Sequence, residues 1–557
     1  MVISVSHLSK TYRVAQKEPG FLGTLNSFFN RQYKEVHAVS DVSFAIGEGE
    51  LVGFIGPNGA GKTTTLKCLS GLLYPTSGHV SVLGFTPFER KNTCLKQISL
   101  VMGQKNQLWW DLPAEDTFLL NKEIYEISDE VYKKTLHELV ELLDVADVLK
   151  TQVRKLSLGQ RMKMELIAAL IHKPKVLFLD EPTIGLDVIM QQKMREFIRE
   201  YNRRHKSTIL LTSHYMEDVK ELCKRVIIID HGKIIYDGLL SRDFRRARSI
   251  QCGSSRAFTK ISGSRYQYRR AGYRRHHPPG VQRERISLKL CMKKIVTIFS
   301  LNLHDALDSR GRSFVWFLLA VINPLTLLIF WQGAFAEQSI SLSGWNSSSI
   351  TSYYLLLMLT STLLHVHIEE EVAEYDIKEG KLSTYLLKPF SYLGFKFLTE
   401  FPYRLLQTSF AVLIFIAISI FYPRLLGIDL TFQNITWLIP VFMLAYGISF
   451  LFKMIIGLIT FWMTDYHGLQ ELVFVTLLVL AGFVMPIEFY PQFISKFAYM
   501  TPFPYMIYYP VLVLQGKLLP FELAKLLLNQ LLWVSLLYLI YRSLWVKGIK
   551  KYTAIGI

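Results

Sequence analysis

The 557-residue sequence contains few cysteines, and their spacing argues against two structural roles. The five cysteines lie far apart, and no two of them have the CxxC spacing. A disulfide framework or a zinc site is marked by closely and regularly spaced cysteines. The pattern is more typical of reduced thiols in the cytosol.

A secretory signal is also missing from the start of the sequence. Residues 1–5 have the pattern of a short strand, and no positively charged segment leads into an apolar stretch. We therefore expect the amino-terminal domain to remain in the cytoplasm.

Positive charge is not spread along the chain, although the net charge is +18. Between Arg242 and Arg285 there are twelve arginines and one lysine against two acidic residues. Because this one segment carries most of the excess, the charge does not indicate a nucleic-acid-binding fold, and no nucleic-acid partner is expected.

Apolar residues make up 50% of the sequence and are concentrated in its second half. Residues 1–240 have the composition of a soluble α/β domain, whereas residues 314–545 contain repeated apolar runs. A helix in a soluble core rarely needs 18 or more apolar residues in succession, so these runs predict membrane spans. The six predicted spans are 314–335, 350–367, 402–422, 436–462, 469–489 and 522–545.

A glycine-rich loop lies between a short apolar strand, residues 51–55, and a predicted helix. It completes the pattern G-x-x-x-x-G-K-[ST] with Gly56, Gly61, Lys62 and Thr63. Glycines let backbone N–H groups surround phosphates, and the start of a helix adds a favourable dipole. We expect Lys62 to reach the β- and γ-phosphates and the Thr63 hydroxyl to ligate Mg²⁺. The predicted phosphate-binding residues are Gly56, Pro57, Asn58, Gly59, Ala60, Gly61, Lys62, Thr63 and Thr64.

An acidic pair follows another apolar run about 120 residues later. Residues 176–179 predict a buried parallel strand, which would place Asp180 and Glu181 at its carboxyl end. Asp180 can hold Mg²⁺, directly or through water, and Glu181 can polarise an attacking water. Such a pair alone is common, but downstream of a phosphate loop it is far more specific.

Residues 1–240 resemble the ABC ATPase superfamily. Leu156–Gln160 resembles the family signature LSGGQ, with Leu158 in place of the first glycine. The resemblance implies that Ser157 and Gly159 close over the γ-phosphate bound to a second subunit. It also implies that the protein works as a dimer.

Further positions match the family in the same order along the chain, although each alone also fits an ordinary surface or core residue. The resemblance implies that Tyr12 stacks on adenine, Gln104 senses Mg²⁺, Asp187 contacts the dimer partner and His214 acts as the switch. It thus implies an ATP-binding set formed by the phosphate loop with Tyr12, Gln104, Ser157, Gly159, Gln160 and Asp187. The catalytic pair would be Glu181 and His214, and the Mg²⁺ ligands Thr63, Gln104 and Asp180.

Residues 241–287 show no periodicity of 2.0 or 3.6 residues and are rich in Arg, Ser, Gly and Tyr. Three interpretations remain open. The segment is a flexible basic linker near an anionic membrane surface, a regulatory tail that binds nucleic acid or lipid, or a junction of two genes read together across a frameshift.

The loop between the second and third spans would lie on the same side as the ATPase domain. This loop and the carboxyl-terminal tail carry Lys378, Lys381, Lys388, Lys396, Lys547, Lys550 and Lys551, which agrees with the positive-inside rule. The loop opens on the acidic cluster Glu369–Glu371 and resembles the cytoplasmic segment of six-span ABC permeases, where a short helix docks on the ATPase. A solvated acidic face is the alternative. Lys453, inside the fourth span, is either a functional residue or a snorkelling lysine.

The predicted architecture is an α/β P-loop NTPase domain of the ABC type, residues 1–240, a linker, residues 241–287, and an all-α six-helix transmembrane domain, residues 288–557. The predicted function is an ATP-hydrolysing, Mg²⁺-dependent half-transporter that exports an unidentified substrate across the cytoplasmic membrane. Its partner would be a second copy or a second permease chain. An ATP-driven mechanotransmitting complex that regulates an extracytoplasmic partner is the alternative.

Overall fold

The structure, a computed structural model, describes residues 1–16, 32–103, 107–213, 215–240, 288–308, 310–336, 344–421, 432–463 and 466–553. These residues form two compact units. The first contains Met1–Ile295 with Leu387–Pro389, and the second contains Val296–Leu386 with Phe390–Ile557. The predicted linker, residues 241–287, lies outside the described residues, so the proposed domain boundaries stay predictions.

Two β-sheets form the centre of the first unit. Its strands are β1 (Ile3–Gln16), β2 (Gln32–Ile46), β3 (Leu51–Ile55), β4 (Ser77–Val82), β5 (Ile98–Met102), β6 (Val176–Asp180), β7 (Thr208–Thr212), β8 (Arg225–Asp230) and β9 (Lys233–Leu239). An antiparallel sheet has the order β2–β1–β4, and a six-stranded sheet has the order β5–β6–β7–β3–β8–β9. The second sheet is parallel except for the β8–β9 hairpin.

Three neighbouring strands of the six-stranded sheet, β5, β6 and β7, are mostly apolar, and their polar residues are Ser99, Asp180, Thr208 and Thr212. Every residue of β5, β6 and β7 is buried. Parallel strands are covered by helices on both faces, so their sequences need not alternate between apolar and polar residues. The predicted buried parallel strand before Asp180 is confirmed, because β6 pairs in parallel with both β5 and β7.

Seven helices among the described residues accompany these sheets. They are α1 (Lys62–Leu69), α2 (Asn92–Leu95), α3 (Ala114–Ile124), α4 (Asp129–Leu143), α5 (Leu158–Leu170), α6 (Val188–His205) and α7 (Met216–Leu222). Helices α3 to α6 share a hydrophobic core with β6 and β7 that includes Phe118, Ile167, Leu177, Phe197 and Leu211. The predicted α/β class of this domain is confirmed.

Helix α8 (Leu288–Asp308) begins in the first unit, and the second unit is helical. Its helices are α9 (Arg310–Ala336), α10 (Ser347–Leu364), α11 (Leu382–Leu386), α12 (Tyr392–Phe421), α13 (Phe432–Ile459), α14 (His467–Leu480), α15 (Gln492–Tyr499), α16 (Phe503–Met506), α17 (Tyr508–Leu514) and α18 (Pro520–Lys551). Residues Glu371–Lys378 form a wider, π-helical segment.

Four helices in the described part of this unit are long and apolar enough to cross a bilayer. They are Ser313–Ala334, Tyr392–Phe421, Thr436–Ile459 and Pro520–Lys551, which overlap the first, third, fourth and sixth predicted spans, although the third begins ten residues before its predicted start. The second predicted span coincides with α10, which is rich in hydroxyl residues, and the fifth with α14. The protein is therefore a membrane protein, with four apolar candidate spans in the part of the chain that the structure describes, and the count of six stays a prediction.

The fifth predicted span ends nine residues earlier than expected. Helix α14 has only 14 residues. The chain turns at Gly482, whose φ of +81° lies in the left-handed region that favours glycine. The apolar run continues past this turn, so composition alone could not locate the end of the helix.

Short helices follow this turn, as the prolines between Pro486 and Pro510 predict. Helices α15, α16 and α17 are eight, four and seven residues long, and each of the first two is preceded by a proline. Proline lacks a backbone N–H and interrupts a continuous helix. The predicted broken helices before the last span are confirmed.

Candidate active site

The phosphate loop connects β3 to α1, as predicted, and its glycines are required by close backbone contacts. Gly61 has a φ of +104°. A Cβ atom at Gly61 would collide with the Ala38 carbonyl oxygen, and one at Gly56 would collide with the Ile229 carbonyl oxygen. Because β2 and β8 approach the loop this closely, neither position has room for a side chain.

Lys62, the first residue of α1, folds back over the phosphate loop. Its Nζ donates hydrogen bonds to the carbonyl oxygens of Gly56 at 2.8 Å and Pro57 at 3.0 Å. The side chain is buried, and this burial lowers the pKa of the Lys62 amine, while Glu181 and Asp180 oppose the change. The two carboxylates do not fully offset the cost of burying the Lys62 ammonium. A nearby anionic group would therefore stabilise its charged form, as phosphate binding requires.

Thr63 and Asp180 come together although 117 residues separate them. The Thr63 hydroxyl donates to Asp180 Oδ1 at 3.2 Å, and the Thr212 hydroxyl donates to the same oxygen at 2.7 Å. Hydroxyl and carboxylate oxygens are the ligands that Mg²⁺ prefers. The donor set therefore fits the predicted Mg²⁺ site.

Thr212 is a site residue that the sequence reasoning missed. It is the last residue of β7 and lies opposite Asp180 in the parallel register with β6. A polar residue that ends an apolar strand was the available signal, since parallel strands bring their carboxyl ends to one edge.

Glu181 lies directly after β6 with a φ of +56°, which is unusual for a side chain of this size. Its backbone N–H donates to both the carbonyl and the hydroxyl oxygen of Thr212, each at 3.1 Å. A left-handed non-glycine residue costs about 1–3 kcal/mol and persists where neighbouring contacts hold it. Thr212 therefore orients both members of the acidic pair.

Ser157 of the signature segment is the N-cap of α5. Its hydroxyl accepts from the backbone N–H of Gln160 at 3.2 Å, and the Gln160 side chain accepts from the Ser157 N–H at 3.0 Å. This reciprocal pair is a capping box, which the sequence S-x-x-Q encodes. The signature thus presents the positive end of a helix dipole, which suits contact with phosphate. Leu158, the departure from the family signature, is 43% exposed, and Ser157 remains the N-cap of α5 beside it.

Of four further predicted site residues, the structure describes Asp187 and Tyr12. Asp187 is the N-cap of α6 and accepts from the Met190 N–H at 2.8 Å. Tyr12 lies in β1 beside Lys10, whose Nζ is 5.3 Å from the ring centre, and burial raises the pKa of its hydroxyl to about 12. Gln104 and His214 lie outside the described residues, so their predicted roles stay predictions.

A buried network at Asp218 was also missed. Asp218 accepts hydrogen bonds from Thr183 Oγ1 and Ser213 Oγ, each at 2.6 Å, and pairs with Arg195 at 3.0 Å. Thr183 follows the acidic pair by two residues, and Ser213 directly precedes the predicted switch His214. The network therefore fixes the two loops next to the predicted catalytic residues relative to each other.

In the second unit, Lys453 is paired with an acidic residue instead of snorkelling. Its Nζ contacts Glu369 Oε1, and both side chains are at most 5% exposed. Glu369 belongs to the acidic cluster Glu369–Glu371. The alternative that this cluster is a solvated face is thus wrong for Glu369.

Three further ion pairs involve side chains of α12. Lys396 is fully buried and contacts Asp376 at 2.6 Å and Glu371 at 2.5 Å. Farther along the same helix, Arg404 contacts Glu400, four residues before it, at 2.6 Å. The positive-inside count treated Lys396 as an exposed loop charge. Because Lys396 is buried and paired, that assumption is wrong for this residue.

Comparison with known proteins gives separate matches for the two halves of the chain. Residues 39–184 match the family described as ABC transporter, and residues 321–556 match the ABC-2 family transporter protein. The chain is 36% identical to "ABC transporter ATP-binding protein NatA" of Bacillus subtilis over 40% of its own length and 89% of that relative. It is 33% identical to "Bacitracin transport ATP-binding protein BcrA" of Bacillus licheniformis over 37% of its length and 66% of that relative. A solved "ATP binding subunit of ABC transporter" is 26% identical, with a TM-score of 0.38, over 46% of this chain and 96% of that one.

Proposed function

Because the chain belongs to the ABC transporter family, with an ATPase domain and an ABC-2 membrane domain in one polypeptide, we propose that it is an export half-transporter. Closure of two ATP-bound domains would drive substrate across the cytoplasmic membrane. The observation that carries this proposal is the convergence of Thr63, Asp180 and Thr212 beside the phosphate loop, in a chain whose described residues also contain four apolar candidate spans.

The proposed chemistry is in-line attack of water on the γ-phosphate. The loop N–H groups and Lys62 would bind the phosphates, and Thr63 and Asp180, with Gln104, would hold Mg²⁺. When bound, Mg²⁺ supplies neutralisation of the phosphate charge. Glu181 would accept hydrogen bonds from the attacking water and orient it, and His214 would contact the γ-phosphate. Tyr12 would stack on adenine.

The proposed partner is a second copy of the chain or a second permease chain that brings its own ATPase domain. Ser157 and Asp187 both cap helix N-termini. Beside them, the apolar side chains of Val188 and Ile189 are 75% and 70% exposed. Large exposed apolar residues next to polar site residues are typical of an interface. These features support pairing through this surface, with each signature completing the site of the other domain.

The direction of transport and the side of the membrane on which the ATPase domain lies are also proposals. The relative from Bacillus licheniformis is named for bacitracin transport, which supports a transport role. The lysines Lys547, Lys550 and Lys551 at the end of α18 support a cytoplasmic position for this end and for the ATPase domain.

The test is transport by the full chain in proteoliposomes with ATP outside and a panel of labelled drugs, lipids and peptides. We expect uptake that stops when Glu181 is replaced by Gln. Equal uptake by the two proteins would refute ATP-driven export. ATP hydrolysis without uptake of any compound, but with an altered extracytoplasmic partner, would favour the mechanotransmitting alternative.

We predict that Thr212→Val raises the Mg²⁺ concentration for half-maximal ATP hydrolysis by about 10- to 100-fold. Valine has nearly the shape of threonine but cannot donate to Asp180 Oδ1, so the carboxylate would lose its orientation. The measurement is a Mg²⁺ titration at saturating ATP. Thr93→Val, at an exposed threonine of α2, is the control. An unchanged Mg²⁺ requirement in Thr212→Val would contradict the assigned contact.

A further inference from the structure

The segment that follows the predicted Mg²⁺-sensing loop is held by α5, the helix that begins at the signature. Gln107, three residues after Gln104, is fixed on two sides. Its side-chain Nε2 donates to the Leu100 carbonyl of β5 at 2.8 Å, while its backbone N–H donates to Glu165 Oε1 at 2.8 Å. The Leu108 N–H donates to the same carboxylate oxygen at 3.3 Å.

Glu165 has an unusual environment for a carboxylate. It lies two turns into α5, it is 4% exposed, and neither of the groups that donate to Oε1 is a charged side chain. Its second oxygen, Oε2, is buried without a hydrogen-bond partner among the described residues. Placing a carboxyl group in a core costs free energy. We therefore look for the role of Glu165 in what its two amide contacts hold in place.

Other contacts join the same two segments, which we call the post-loop segment (residues 107–112) and the signature arm (residues 153–165). Arg161 lies 5.4 Å from the Trp110 ring centre, and Arg154 pairs with Asp111 at 3.1 Å. The backbone N–H of Arg154 donates to the Trp110 carbonyl at 3.0 Å. The contacts of Arg154 and Arg161 reach residues 110 and 111. Among these contacts, only Glu165 is a buried side chain that reaches residues 107 and 108, the part of the segment nearest Gln104.

We propose that Glu165 is a positioning residue that fastens the post-loop segment to the signature arm. Because of this contact, the Gln104 loop, which acts on the nucleotide of its own domain, moves together with the signature, which acts on the nucleotide of the partner domain. The inference rests on the proposed pairing of two ATPase domains. It assigns Glu165 no contact with ATP or Mg²⁺.

The carboxyl group should also make this fastening sensitive to pH. Burial raises the pKa of Glu165 to about 7, while the two amides, Lys388 of the Leu387–Pro389 segment and Arg161 oppose the change. Burial in turn lowers the pKa of Lys388 to about 8. The fastened carboxyl keeps its proton up to about pH 7, whereas a released, hydrated one loses it near its ordinary value of about 4.3. By linkage, the fastened state is most stable at low pH and loses stability as pH rises from about 4.3 to about 7.

The experiment compares Glu165→Gln and Glu165→Ala with the wild-type full chain in lipid nanodiscs. Hydrogen exchange of residues 107–112 without nucleotide, corrected for the intrinsic rate, measures the fastening itself. Glutamine keeps the acceptor and the volume but does not titrate, whereas alanine removes the acceptor. Glu130→Gln, at an exposed glutamate of α4, is the control.

We expect protection in the wild type to fall as pH rises from about 5 to about 7, protection in Glu165→Gln to stay constant, and protection in Glu165→Ala to be about tenfold lower throughout.

ATP turnover in Glu165→Ala should fall about tenfold, with the KM for ATP within about twofold of wild type, and Glu165→Gln should restore it. If Glu165→Ala does not fold, the pH profile of Glu165→Gln decides. Coincident profiles for wild type and Glu165→Gln, or unchanged protection in Glu165→Ala, would overturn the inference. Absence of ATP turnover in the wild type would instead refute the proposed function.

Discussion

Replacing Glu181 by Gln is expected to reduce ATP turnover by about 10²- to 10⁴-fold, the contribution of a positioned general base. The glutamine amide has the size of the carboxylate but cannot accept the proton of the attacking water. Glu181 contacts Thr212 through its backbone N–H and not through its side chain, so these contacts should survive the substitution. Phosphate release in proteoliposomes measures turnover, and binding of a labelled ATP analogue measures affinity.

The expected outcome is a loss of turnover with ATP affinity retained. Glu217→Gln is the matched control, since Glu217 is exposed at the start of α7. If Glu181→Gln hydrolysed ATP at the wild-type rate, Glu181 would not be the catalytic residue. If ATP affinity were lost together with turnover, the substitution would have damaged the phosphate loop, and the proposed role would not be supported.

Replacing Lys453 by Met is expected to destabilise the second unit by about 3–5 kcal/mol, the usual cost of removing one partner from a buried ion pair. Glu369 would be left buried opposite an apolar side chain, with one of its oxygens already lacking a hydrogen-bond partner among the described residues. The measurement is the thermal unfolding of the purified protein in detergent.

The double variant Lys453→Met with Glu369→Gln is expected to recover much of this loss, because it removes both charges together. Lys525→Met, at an exposed lysine of α18 that forms no ion pair with another described residue, controls for the loss of a cation. Equal unfolding temperatures for wild type and Lys453→Met would show that the pair contributes nothing. Simple addition of the two single effects in the double variant would show that the residues are not coupled.

Local sequence patterns were sufficient for the features that depend on neighbouring residues. The phosphate loop, the buried strand before Asp180 and the broken helices after Pro486 all follow from short-range chemistry: glycine at a close approach, an apolar run that needs no alternation, and proline without an N–H. The capping box at Ser157 was equally readable from S-x-x-Q, although the sequence reasoning used the signature only by resemblance.

The tertiary structure decided the features that depend on residues far apart in the chain. Thr212 meets Asp180 because β6 and β7 are adjacent and in register, and Glu165 meets residues 107 and 108 because α5 packs beside the end of β5. Lys453 meets Glu369 across 84 residues. A sequence gives the charge and polarity of each residue, but whether a buried charge is compensated depends on which distant group the fold brings within about 3 Å of it.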